Sequence, residues 1–262
     1  MRLYRETRGA GLPVVLLHGW GMNLRVFDAL GTALAKRCTV TAIDLPGHGR
    51  SPWRAGLDAD ATATLLLETL PEATTLLGWS LGGQLALRMA ARAPAHVARL
   101  VLVASTPKFT ADTQWPHGLD PAALQRVASG LADDPVRIVE EFLELQVRGG
   151  AAAATTLALL QKALALHGRA QPPALAAGLE WLRGTDLRLL APTLRQPVLL
   201  LSGQNDRVTP PAAARALATL LPRARLVELR RAAHALPLSH PTALLAALAD
   251  FLAPAGANGA AA

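Results

Sequence analysis

Ser80, Asp206 and His234, spread along 262 residues, are the side-chain types that together turn a hydroxyl on an acyl carbon. A serine hydroxyl is a poor nucleophile until a base takes its proton, and an imidazole base needs a carboxylate to fix its tautomer and orientation. Ser80 lies in Gly78-Trp79-Ser80-Leu81-Gly82-Gly83, between the apolar run Leu76-Leu77 and an Ala/Leu-rich helical pattern. That context predicts a tight strand-to-helix turn that lifts one hydroxyl above a sheet. Glycine is needed on both sides because a Cβ there would crowd the backbone. Asp206 comes directly after the buried run Val198-Leu199-Leu200-Leu201 and its turn, at the carboxyl edge where ligands bind in open α/β sheets. His234 follows another strand pattern, in the small-residue loop Ala232-Ala233. Each has a rival: Asp44, at a strand end beside Pro46-Gly47, is better suited to holding its loop, and His240, before Pro241, reads as a helix-start residue.

Acyl transfer also needs two donors for the developing oxyanion, worth roughly 2.7–4 kcal/mol each. The helix after Ser80 aims its N-terminus at the reacting centre, which frees the amide of Leu81. The second donor is expected from Trp20, in His18-Gly19-Trp20 after an early strand. Its indole would also form one wall of an acyl pocket, whereas Trp79 is expected to pack. His18 is expected to brace the oxyanion loop and His48 to sit in a Gly-rich turn. His96, His117 and His167 fall on helical or inserted segments and are expected to be solvated.

The elements that must position these groups can be read from pattern. Short continuous β-branched and aliphatic runs, such as Val14-Leu17, Val40-Ile43, Arg99-Ala104 and Val198-Leu201, predict strands buried on both faces. Helical patterns alternate with them, over about 25–36, 59–70, 81–93, 210–220 and 241–252. The alternation predicts an α/β class fold with a mostly parallel sheet flanked by helices. From about Phe109 to Leu187 the rhythm breaks into helical patterns, including Pro135 to Val147 and Ala151 to Leu166. Residues 110–187 are therefore expected to form an inserted helical cap, 1–109 and 188–253 the core, and 254–262 a frayed Ala/Gly-rich tail.

Composition narrows the classes. Hydrophobic residues at 51% supply a sizeable core, and 26 basic against 19 acidic residues give a net charge of +7. The arginines are scattered without a dense basic block, so a solvated surface is expected, with no nucleic-acid partner. The single cysteine, Cys38, allows neither an internal disulfide nor a cysteine zinc site. No signal-peptide core and no run of 18 apolar residues is present, which suggests a cytoplasmic chain without a membrane partner.

Several stretches carry a family resemblance. The motifs around His18-Gly19-Trp20-Gly21, Asp44-Leu45-Pro46-Gly47-His48-Gly49-Arg50-Ser51 and Gly78-Trp79-Ser80-Leu81-Gly82-Gly83 are similar to those of α/β-hydrolases. Val103-Ala104-Ser105-Thr106-Pro107-Lys108-Phe109 with Trp115-Pro116, Phe142-Leu143-Glu144-Leu145-Gln146, Gly178-Leu179-Glu180-Trp181-Leu182 and Ala232-Ala233-His234 through Pro241 are narrower. They resemble the biotin-synthesis esterases that demethylate pimeloyl-acyl-carrier-protein methyl ester. The likeness runs from about residue 14 to 252, the inserted segment included.

The resemblance implies an α/β-hydrolase fold and a serine carboxylesterase with Ser80, Asp206 and His234 as catalytic residues. Trp20 and Leu81 would form the oxyanion hole. Trp20, Ser80, Leu81, Phe142, Leu143, Glu144, Leu145, Gln146 and His234 would contact substrate. It implies no metal or organic cofactor, an acyl-carrier protein as partner with Arg137 as a contact, and a monomer. A general short-chain esterase or lactonase, or a non-catalytic binding protein on the same fold, stay open on the residues alone.

Overall fold

The computed structural model describes residues 1–253, so the expected tail 254–262 lies outside the described residues. Seven strands form one sheet: β1 (Arg5–Arg8), β2 (Leu12–Leu17), β3 (Cys38–Ile43), β4 (Thr74–Trp79), β5 (Val97–Val103), β6 (Val198–Gly203) and β7 (Ala224–Leu229). Their order across the sheet is β1-β3-β2-β4-β5-β6-β7. Only β1 is antiparallel to its neighbour; β2-β3, β2-β4, β4-β5, β5-β6 and β6-β7 pair in parallel. The central strands are buried on both faces, with Leu16, Leu17, Leu76, Leu77, Leu100, Val101 and Leu199 fully buried. That is why their sequence shows unbroken apolar runs instead of alternation.

Helices α1 (Asp28–Leu34), α2 (Ala59–Leu67) and α3 (Leu81–Arg92) connect the first strands. The single helix expected over 25–36 is instead a short 3-10 turn, Leu24–Phe27, followed by α1. Asn23 starts that turn by accepting from the amide of Arg25, and a side-chain acceptor there satisfies an otherwise unpaired donor. Between β5 and β6 run four helices: α4 (Pro121–Asp133), α5 (Pro135–Val147), α6 (Ala153–His167) and α7 (Pro172–Gly184). Asp120 and Asp134 cap α4 and α5, each followed by proline in the first turn, where its missing N–H costs nothing. The chain returns through α8 (Pro211–Leu220), β7, the short α9 (Leu236–Ser239) and α10 (Pro241–Leu252).

The two ends of this helical insertion meet at a bridge between Lys108 and Asp186, and hydrogen bonds fasten its far side to the core. Asn23 Nδ2 donates to the carbonyls of Ala163 and Gly168, both at 3.0 Å. The Gln171 amide donates to Gly47 O at 2.8 Å. The expectation of a solvated His167 is corrected here. Its side chain is fully buried, with Nε2 2.8 Å from Asp44 Oδ2. His96 is exposed and lies in the turn before β5, and His117 is half-buried.

Candidate active site

The carboxyl ends of β4, β6 and β7 bring the three chemically competent side chains to one edge of the sheet. Ser80 follows β4 without a linker and starts α3, with φ 55° and ψ −119°. This left-handed backbone is unfavourable for a residue with a Cβ and persists where the surroundings enforce it. The enforcement is visible around it: a Cβ on Gly78 would collide with the carbonyl of Gly82, and one on Gly82 with the carbonyls of Leu17 and His18. Strand β4 and helix α3 therefore cross at a distance that only glycine allows.

Asp206 lies three residues past β6, buried, and its carboxylate is saturated with donors. Oδ1 accepts from the amides of Val208 at 2.8 Å and Thr209 at 2.9 Å, and Oδ2 from the Thr209 hydroxyl at 2.9 Å. Oδ2 also lies 2.8 Å from Nδ1 of His234. An ionised carboxylate can only accept, so this contact puts the proton on Nδ1 and a lone pair on Nε2. Nε2 of His234 is buried and has no hydrogen-bond partner among the described residues. Its ring centroid is 5.7 Å from that of Trp79, whose indole N–H donates to His234 O at 3.0 Å. Trp79, expected only to pack, thus ties the histidine loop to the residue beside Ser80. Thr209 escaped the sequence reading, although its place three residues after a turn aspartate is an N-cap-like spacing that could have shown it.

The amide of Leu81 opens α3 and has no intrahelical partner, and neither it nor the amide of Trp20 is engaged by a described residue. Gly19 brings the Trp20 turn against the Ser80 elbow, since a Cβ there would stand 3.1 Å from Ser80 Cβ. Two histidines hold this turn, as expected for His18. The Leu45 amide donates to His18 Nε2 at 2.9 Å, so the Nδ1 proton goes to Gly19 O at 2.8 Å. His48 Nε2 likewise accepts from the Gly21 amide at 3.3 Å, with Nδ1 2.9 Å from Pro46 O. Burial pushes the pKa of His18 well below the ordinary imidazole value, helped by the nearby His48, and burial lowers that of His48 too. Both rings are neutral braces.

The rival residues go elsewhere. Asp44 accepts from the amides of Leu24 and Arg50 as well as facing His167, so it holds its loop. His240 precedes α10 and contacts Ser239 Oγ at 2.9 Å.

A cavity of about 360 Å³ opens beside Trp20 under the inserted helices. Its wall includes Trp20, Leu124 and Val127 of α4, Phe142 and Leu145 of α5, and Leu179 of α7, with Arg126, Glu141 and Arg148 also lining it. Trp20 is fixed by an indole N–H bond to Leu175 O at 2.9 Å and an edge-to-face contact with Phe142 at 5.1 Å.

The run Phe142 to Gln146 does not line this cavity as a whole. Helical periodicity turns Phe142 and Leu145 toward it, while Leu143 points into the core, fully buried, and Glu144 into solvent. Of the run, Phe142 and Leu145 line this cavity and Leu143, Glu144 and Gln146 do not, because five consecutive helical positions cannot share one face. Gln146 is fully buried and its carbonyl accepts from the His234 amide at 2.9 Å. Arg137 is exposed on α5 and paired with Glu141 at 2.6 Å and Asp134 at 3.9 Å. Among the described residues no cluster of three or more His, Cys, Asp or Glu side chains is arranged to hold a metal.

Comparison with known proteins agrees with this architecture. The family model described as "alpha/beta hydrolase fold" matches residues 13–241. An esterase from Exiguobacterium antarcticum superposes with a TM-score of 0.85 at 23% identity, covering 95% of this chain and 94% of that one, a likeness of fold. The pimeloyl-[acyl-carrier protein] methyl ester esterase of Chromobacterium violaceum is 43% identical over 252 residues, 96% of this chain and 98% of that protein. The protein of the same name from Nitrosomonas europaea is 42% identical over 240 residues, covering 91% and 95%. The chain belongs to the α/β-hydrolase family, as a relative of these esterases.

Proposed function

We propose that this protein is a serine carboxylesterase that hydrolyses pimeloyl-[acyl-carrier protein] methyl ester, releasing methanol and the free acid. The observation that carries the reading is the Asp206–His234 pair at 2.8 Å, with Nε2 unpartnered among the described residues and the loop tied to Trp79, the residue before the strained Ser80. Relatives of that name at 43% and 42% identity support the substrate.

Ser80 Oγ attacks the ester carbonyl while His234 Nε2 takes its proton, and Asp206 stabilises the imidazolium. The amides of Trp20 and Leu81 receive the oxyanion. His234 then protonates the departing methoxide, and water, deprotonated by the same nitrogen, cleaves the acyl-enzyme. No cofactor takes part in these steps. The apolar wall of Trp20, Phe142 and Leu145 suits a methylene chain, and the inserted helices 110–187 act as the cap over the core segments 1–109 and 188–253.

Arg137 would meet the acidic carrier protein, exchanging Glu141 for a carboxylate of the partner. We place the enzyme in the cytoplasm as a monomer; no described helix is long and apolar enough to cross a membrane. The deciding experiment compares kcat/KM for the carrier-bound methyl ester with that for p-nitrophenyl acetate, using wild type and Ser80→Ala. A specificity constant far higher for the carrier-bound ester, lost in Ser80→Ala, is expected. Cleavage of the short ester alone would make the protein a broad-range esterase.

A further inference from the structure

The turn after α5 is fastened to both loops that carry the catalytic pair. The His234 amide donates to Gln146 O and the Ala151 amide to Arg231 O, both at 2.9 Å, which joins α5 to the histidine loop. The Asn205 amide donates to Ala232 O at 2.8 Å, which joins the aspartate loop to the histidine loop. The third side of the triangle is the Asn205 side chain, whose Nδ2 donates to Gly149 O at 2.6 Å. Among the described residues the other links are main chain to main chain, apart from the Asp206–His234 contact and the Thr209 hydroxyl 3.4 Å from His234 Nδ1. Helix α5 is also the element whose Phe142 and Leu145 line the acyl cavity.

We propose that Asn205 is a positioning residue that couples occupancy of the acyl cavity to alignment of Asp206 with His234, an inference that rests on the esterase reading. An acyl chain pressing on Phe142 and Leu145 loads α5. The Asn205–Gly149 bond delivers that load to the residue next to Asp206, while the Gln146–His234 bond delivers it to the base. With both connections intact the two loops move as one body. Without the Asn205 side chain the aspartate loop is tied to α5 only indirectly, through the histidine loop by the Asn205 amide and the Asp206–His234 contact, so the pair loses register when a long chain is bound. A short acyl group leaves α5 unloaded and needs the strut less.

The test measures kcat and KM for p-nitrophenyl hexanoate and p-nitrophenyl acetate in wild type, Asn205→Ala, Asn205→Asp, Phe142→Ala and the Asn205→Ala/Phe142→Ala double variant. Asn205→Asp keeps the shape and removes the donor. For both Asn205 variants we expect kcat on the hexanoate to fall about five- to tenfold, on the acetate by less than half, with KM little changed. In the Phe142→Ala background, Asn205→Ala should lower hexanoate kcat less than twofold, because the contact that loads α5 is gone. An equal loss on both esters, or the full loss persisting in the double variant, would assign Asn205 a merely structural role and overturn the proposal. Unchanged hexanoate kcat in both single variants would also overturn it. Absence of Ser80-dependent turnover in wild type would sink the esterase reading itself, a separate result.

Discussion

His167 Nε2 lies 2.8 Å from Asp44 Oδ2, and both side chains are completely shielded from solvent. The contact joins the end of α6 to the loop after β3, across 123 positions of sequence. Its chemistry matches that of the Asp206–His234 pair, yet Asp44 is committed to the Leu24 and Arg50 amides and Nδ1 of His167 has no partner among the described residues. It is a fastening between insertion and core. Replacing His167 by leucine removes one of three partners from a buried carboxylate and should cost about 3 kcal/mol. The check is the urea midpoint at constant m-value. Adding Asp44→Asn removes the stranded charge, so the double variant should lose less than the two single losses added together.

The Thr209 hydroxyl is the side-chain donor that shares Asp206 Oδ2 with His234. Thr209→Val keeps the volume and deletes the hydrogen bond, worth about 1 kcal/mol. Turnover should drop about fivefold with KM nearly constant, because the carboxylate loses orientation without the cavity changing. Steady-state kinetics on one chromogenic ester suffice to decide it.

Gly178 of α7 lies against the indole of Trp20; a Cβ there would be 2.7 Å from Trp20 Cδ1. Trp20 is almost fully buried and pinned by Leu175 O, so the ring has little room to yield. Gly178→Ala gains up to about 1 kcal/mol of helix propensity but overpacks the contact by about 1–3 kcal/mol. A small net destabilisation is expected, with a raised KM for long-chain esters as the Trp20–Phe142 wall shifts. A variant as stable as wild type with unchanged KM would show that the indole can move freely.

Folding keeps His18 and His48 neutral, and their pKa values are depressed by burial. An unfolded chain protonates both below about pH 6.5. The unfolded state then binds more protons, so stability is greatest above that pH and falls as pH drops toward the folded values. Urea midpoints should therefore decline between pH 7.5 and pH 5.5. Nuclear magnetic resonance of the two rings in the native protein should show both titrating below the ordinary imidazole value.

Much of the frame can be read from residues whose pattern has a local cause. The runs around Leu16, Leu76 and Leu199 announce buried strands, and Gly78-x-Ser80-x-Gly82 announces the elbow because the crossing of β4 and α3 demands glycine. Helices α5 and α10 start and end where their patterns do. What escapes is set by long-range packing. Nothing near His167 in sequence signals Asp44, so a histidine on a helix reads as solvated. The residues of α5 that face the cavity cannot be chosen until the partner surfaces of Trp20 and α4 are known. The Asn205 strut depends on a turn that comes 56 positions earlier.

The strand order has a consequence for synthesis. The first five strands in sequence, β1 to β5, are also contiguous in the sheet, and their connections already hold Ser80 and the amides of Trp20 and Leu81. Trp79 waits for a carbonyl 155 positions ahead, delivered only after the four-helix excursion and two further strands. A nascent chain emerging from the ribosome can thus build the cradle of Ser80, the proposed nucleophile, early while its proposed base is still absent. Esterase activity would switch on late in translation, after His234 has emerged and docked beside Trp79.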